Sequence, residues 1–160
     1  MRGEPGAVET KDHVASAAWP VFESRLAEVL GALEEDQSLV ISAKRGWAYV
    51  QFAAQGSFGL RAETVSNNYL PSSDRLRDDQ IAALQELGWV APTGTPREAT
   101  AKQQPDGSPN FFRDFGRPVS FEAVARMAVR TLTEVHGIPH PGYFDYQAFD
   151  FERQHMLIPT

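Results

Sequence analysis

The sequence predicts an α+β domain: a helix, a three-stranded antiparallel meander, a second helix, one or more short strands and a third helix. Three observations predict it. Apolar residues recur at helical spacing in three separated stretches. Between the first two stretches lie three bursts rich in Val, Ile, Phe, Tyr and Trp. The bursts are joined by only a few residues, which favours hairpins, because a parallel crossover takes a dozen or more.

The elements follow in order. Residues 1–14 are polar with Gly and Pro and are expected to be disordered, ahead of one domain over 15–150. In "AWPVFESRLAEVLGALEE" Phe22, Leu26, Val29, Leu30 and Leu33 make one face of a helix over 20–35, with Pro20 suited to its first turn. Strands are expected at 38–44, 47–54 and 58–65, with turns at Arg45-Gly46 and "QGS". "SSDRLRDDQIAALQELGWV" reads as the second helix, capped by Ser72 or Ser73, with Asp74 at its positive end and Gly88 as its stop. The Pro-, Gly-, Thr- and Gln-rich stretch 92–109 reads as a mobile loop, and "NFFRDFGRP" as a short strand. Ser120 caps a third helix that buries Phe121, Val124, Ala125, Ala128, Leu132 and Val135 and ends at Gly137. The tail 151–160 follows "YFDYQAFDF". Five aromatics in those nine residues are too apolar for a disordered segment, so it is expected to be extended and docked.

Composition narrows the function. A chain of 160 residues with 42% hydrophobic content suits one globular domain. A net charge of −6 argues against nucleic acid or an anionic membrane as partner. With no cysteine, thiolate catalysis, disulfides and Cys-ligated zinc are excluded, and a reducing cytoplasm fits. No apolar run suits a membrane span, and the N-terminal residues lack the apolar core of a signal peptide.

Chemistry is sparse. His136 and His140, with His155 later, invite a metal reading, but Gly137 and Pro139 place the first two at a helix end rather than at i,i+4 on one face. A solvated helix end is expected. The pairs Asp78/Asp79 and Glu34/Glu35 read as solvated faces. Nucleophile-elbow, P-loop and dinucleotide motifs are absent. The strands carry more. Val50 and Phe52, and Phe58, Leu60 and Ala62, fall on faces that would cover the helices. Trp47, Tyr49, Gln51, Arg61 and Glu63 fall on the opposite face, which helices on one side alone would leave open. These five are the candidate peptide-binding residues, because Trp and Tyr are favoured at contact surfaces. The polar "SNNYLPSS" is expected to be a structural junction between strand and helix, anchored by Tyr69 and Leu70.

Six segments in this order, "AWPVFESRLAEVL", "YVQF", "LRAETVSNNYL", "LQELGWVAP", "PNFFRDF" and "AVRTLTEVHGIPHP", resemble the actinobacterial TY-chaperone domains. Those are grouped with type III secretion chaperone-like proteins as peptide-binding chaperones. The resemblance spans 19–149 and implies the same order of elements, with a Pro/Gly-rich insert before "PNFFRDF" as a departure. The function expected is a non-enzymatic module that holds an extended client peptide or protein, with a link to secretion, no cofactor and room for a homodimer. The alternatives are a small-ligand or metal-dependent enzyme around His136 and His140, and an oligomeric structural protein without a client.

Overall fold

Alternation along the strands and the helical stripes combine into a single sheet with helices on one side. The computed structural model describes the backbone of residues 7–93, 107–150 and 155–158, and the side chains of 18–93 and 107–149. The strands are β1 (Gln37–Ala43), β2 (Tyr49–Ala54), β3 (Leu60–Thr64), β4 (Phe111–Phe115), β5 (Phe144–Asp150) and β6 (His155–Ile158). They form a six-stranded sheet in the order β4-β3-β2-β1-β5-β6, with every neighbouring pair antiparallel. The expected meander is therefore the middle of a wider sheet. The "NFFRDF" strand extends it on one flank and the aromatic C-terminal segment on the other.

The helices are α1 (Ala7–Ala32), α2 (Asp78–Glu86) and α3 (Phe121–Arg130), the last continued by a π-helical turn over Thr131–Val135. Register puts Leu39 opposite Phe52, Ile41 opposite Val50, and Phe52 opposite Ala62. These side chains share one core with Leu26 and Leu30 of α1, Leu84 of α2, and Val124, Ala125 and Ala128 of α3. Each large apolar side chain buried there contributes about 1.5–3 kcal/mol.

The C-terminal segment docks as expected, on its own domain. Phe144 is buried, and its ring lies 5.9 Å from Trp19 and 5.7 Å from Phe22. Tyr146 adds a ring 5.9 Å from Phe22. β6 carries the sheet past residue 150, the expected end of the domain.

Five expectations need correction. Pro20 does not open α1; the helix begins at Ala7 and Pro20 sits inside it. The Ala-rich residues upstream favour helix strongly enough to outweigh the one backbone bond that proline removes. The disorder expected over 1–14 lies outside the described residues for 1–6, and from Ala7 the backbone is helical. Ser72 and Ser73 do not cap α2. Residues Ser72–Asp74 form a separate 3-10 turn, and Arg75 is extended. The cap falls at Arg77, whose backbone N–H donates to Gln80 Oε1 at 2.8 Å. Phe58 does not cover the helices. It lies in a 3-10 turn before β3 and is 81% exposed. Gly59 follows with a φ of 101°, and a Cβ there would strike the Phe115 carbonyl, so the chain bends at Gly59 and the alternating face starts at Leu60. The loop expected over 92–109 lies outside the described residues for 94–106, and its last residues, from Gly107, are buried.

Candidate functional site

The helix-free face of β2, β3 and β4 is built from polar side chains that meet across the register. Gln51 stands opposite Glu63, and Arg61 opposite Asp114. Arg61 Nε donates to Asp114 Oδ1 at 2.7 Å and Nη2 to Oδ2 at 2.9 Å, and the guanidinium lies 5.2 Å from the Phe112 ring centre. Gln51 Nε2 donates to Glu63 Oε1 at 3.1 Å.

A short strap, Gly107–Asn110, crosses this end of the face. Arg61 Nη1 donates to the Gly107 carbonyl at 2.7 Å. Ser66 Oγ and Asn68 Nδ2 both donate to the Pro109 carbonyl, at 2.7 and 2.8 Å. Asn110 sits at the centre. Its Oδ1 accepts from the Tyr49 hydroxyl at 3.1 Å and from the Ser66 backbone at 3.2 Å, while Nδ2 donates to Glu63 Oε1 at 3.0 Å.

The strap divides the five candidate residues. Arg61 and Glu63 are 2% and 5% exposed. They were expected on an open surface; instead the strap and β4 cover them, because buried charges need the partners these elements supply. Trp47 is 55% exposed, and Tyr49 and Gln51 are half-buried. The open part of the face thus lies toward the β1–β2 turn. Trp47 and Tyr49 there line a groove of about 300 Å³ with Val65 and Tyr69.

Val65, in phase with Arg61 and Glu63 in the expected strand 58–65, and Tyr69, beyond that strand, also line the groove but are not among the five candidates. The signals were the phase of Val65 with Glu63 and, for Tyr69, an aromatic residue inside an otherwise polar "SNNY" run. The junction is tied down by its polar side chains, not by Tyr69 and Leu70, which lie outside the core: Asn67 Oδ1 accepts from the Leu76 backbone at 2.7 Å, and Asn68 N donates to Ser66 Oγ at 3.1 Å. Asp74, expected at a helix end, accepts from Trp47 Nε1 at 3.1 Å and sets the indole's orientation. Burial pushes the Tyr49 hydroxyl up to about 12, against the lowering effect of Asn110 and with a further rise from the Glu63 carboxylate. Burial and Glu63 also raise Tyr69. Both hydroxyls remain protonated donors at neutral pH.

A protein-family model described as "T3SS (YopN, CesT) and YbjN peptide-binding chaperone 3", TY-Chap3, matches residues 12–150. The chain belongs to the TY-Chap3 family. The match takes in all of β1–β5, the three helices from residue 12 onward and every residue of the groove. No curated protein and no solved structure matches the chain.

Within this TY-Chap3 chain His136 and His140 serve local structure. Thr64 Oγ1 donates to the Tyr49 carbonyl at 2.8 Å, so at 3.2 Å from His136 Nε2 it accepts the imidazole proton. That bond sets the Nε2–H tautomer. His136 is half-buried, not at a solvated helix end as expected, and burial pushes its pKa down to about 4. The helix end turns inward because Ile138 N bonds back to the Leu132 carbonyl. His140 Nδ1 accepts from the Gly142 backbone at 2.8 Å. The side chain of His155 lies outside the described residues. Among the described residues no three His, Asp or Glu side chains converge, and no helix is long and apolar enough to cross a membrane.

A wider depression of about 500 Å³ lies between α1 and β5, lined by Val21, Phe22, Arg25, Lys44, Phe144 and Tyr146. Its floor is the ring cluster that fastens β5 to α1, so those rings already have an occupation. The TY-Chap3 groove beside Trp47 has no such packing duty.

Proposed function

We propose that the chain is a non-enzymatic, cytoplasmic holder of an extended client segment, and that the client lies across Trp47, Tyr49 and Tyr69. The observation that carries this reading is Trp47. A tryptophan 55% exposed, held in place by Asp74 beside two half-buried tyrosines, is a preset contact surface in a family of peptide-binding chaperones. Gln51 borders this surface on the same strand. Arg61 and Glu63, the other two candidates, act from below by fixing the strap. The absence of enzyme chemistry is supported by His136 Nε2, which meets the Thr64 hydroxyl, and His140 Nδ1, which accepts from the Gly142 backbone. The link to secretion rests on the family description, and the cytoplasmic setting on a chain without cysteine.

The test is a peptide array probed with the full chain and with Trp47→Ala. Binding to the array's strongest spots should fall about tenfold or more with the variant, as for a central aromatic anchor. The melting temperature should stay within a few degrees, since little buried area is lost. Unchanged binding by a folded Trp47→Ala protein removes the groove from the client site.

A further inference from the structure

We propose that the Trp47–Tyr49–Tyr69 groove selects a cationic side chain, a lysine or arginine of the client segment. This rests on the groove being the client site.

Three features point to a cation rather than to an aliphatic anchor. First, three aromatic residues and Val65 line one groove, and none of its lining residues is charged. Ring faces attract cations, and the attraction grows when water is excluded. Second, the polar edges of the rings are backed by acid. Trp47 Nε1 donates to the Asp74 carboxylate, which makes the indole face more electron-rich. Glu63 lies behind the tyrosines, and the charge of its carboxylate acts on both hydroxyls. Third, neither carboxylate is held in an ion pair among the described residues. The hydrogen-bond partners of Glu63 are the neutral amides of Gln51 and Asn110, while the Arg61 guanidinium closes on Asp114. Arg75 follows Asp74 in sequence and is exposed. Lys44 and Arg45 are the basic residues next to Trp47. Both are exposed, and Lys44 lines the depression on the helix side of the sheet.

An aliphatic side chain would fill the groove and leave the field of Glu63 and Asp74 unanswered. A lysine or arginine stem would cover the same rings, and its charged head would meet that field. The net charge of −6 steers basic segments toward the chain.

The experiment uses three fluorescein-labelled heptapeptides of alternating valine and serine, differing only at the centre: lysine, norleucine or glutamate. Norleucine keeps the alkyl stem and removes the charge. The full chain should bind the lysine peptide about fivefold more tightly than the norleucine peptide, and the glutamate peptide most weakly. Glu63→Gln keeps an oxygen for its two amide partners and removes the charge. Asp74→Asn does the same at an exposed position, so it reports even where the buried substitution unfolds the protein. Each should move the lysine-to-norleucine ratio toward one, whatever it does to the binding of the norleucine peptide itself. Equal binding of lysine and norleucine peptides by the unaltered chain overturns the proposal and leaves the groove as an apolar client site. Tighter binding of glutamate overturns it too. A lysine preference that survives both charge substitutions overturns its assignment to this groove. Binding of none of the three peptides overturns the proposal together with the groove reading on which it rests.

Discussion

Arg61 closes on Asp114 through two parallel hydrogen bonds, yet only one of the two residues is buried. Arg61 is 2% exposed, and the Asp114 side chain is 43% exposed. The pair joins β3 to β4, and the same guanidinium holds the strap through the Gly107 carbonyl. Removing one partner of a buried charge is costly, and the half-exposed carboxylate moderates that cost. Asp114→Ala should destabilise the fold by about 2–3 kcal/mol in urea denaturation and speed amide exchange over 107–110. A loss below about 0.5 kcal/mol would mean that the remaining partners of Arg61, the Gly107 carbonyl and the Phe112 ring among them, suffice for it.

His136 should make the fold acid-sensitive. Its folded pKa lies below the unfolded value of 6.5, at about 4. Between those values the unfolded chain binds a proton that the folded chain refuses, so stability is full above about pH 6.5 and falls as the pH drops toward 4. The loss should be roughly 2–3 kcal/mol across that window. His136→Gln keeps an N–H donor for Thr64 and should flatten this part of the stability–pH curve. An equally steep curve in the variant would assign the acid sensitivity to carboxylates.

Phe144 joins the C-terminal segment to α1 through Trp19 and Phe22. Phe144→Ala should cost about 3–4 kcal/mol, the range for emptying a buried aromatic site. Deleting residues from Tyr143 onward should expose the flank of β1, raise binding of a hydrophobic dye and promote association. A truncated chain unchanged in dye binding, stability and size on gel filtration would show that β5 contributes nothing to the sheet.

Gly46 and Gly59 both have positive φ, 90° and 101°, but only one is crowded. A Cβ at Gly46 meets nothing within 4 Å, whereas one at Gly59 runs into the Phe115 carbonyl. Gly46→Ala should cost about 1 kcal/mol, the backbone term alone. Gly59→Ala should cost at least about 2–3 kcal/mol and loosen β4, the strand it would push away. Equal melting temperatures for the two variants would show that β4 yields freely.

The local elements were legible in the sequence because their causes are local. Val50 and Phe52 alternate with Tyr49 and Gln51, and that pattern alone assigned β2 its two faces. Ser120 capped α3 where its spacing said it would, its Oγ accepting from Ala123 N at 3.3 Å. The misreadings arose where a distant partner decides. Asp74 looked like a helix-end charge because Trp47, its donor, lies 27 residues away. Arg61 and Glu63 looked solvent-facing because the strap that buries them returns from residues 107–110. Tyr69 fell outside every periodic segment, so its place in the groove followed from the junction's geometry and not from a pattern. Phe58 was assigned to a strand whose start Gly59 delays.

β1 is flanked on one side by β2, a few residues further on, and on the other by β5, whose Ala148 pairs with Leu39 from more than a hundred residues away. The ribosome therefore releases the meander long before it releases the strand that completes it. During that interval the outer row of amide and carbonyl groups on β1 stands unpaired, next to the apolar surface that Phe144 will later close. An unpaired strand edge of that kind is open to pairing with an extended segment nearby. Tethering resolves the competition: once made, β5 is presented to its slot at a local concentration that free segments do not match. The order of synthesis thus makes the last-made part of the described core the one that ends the chain's own vulnerability.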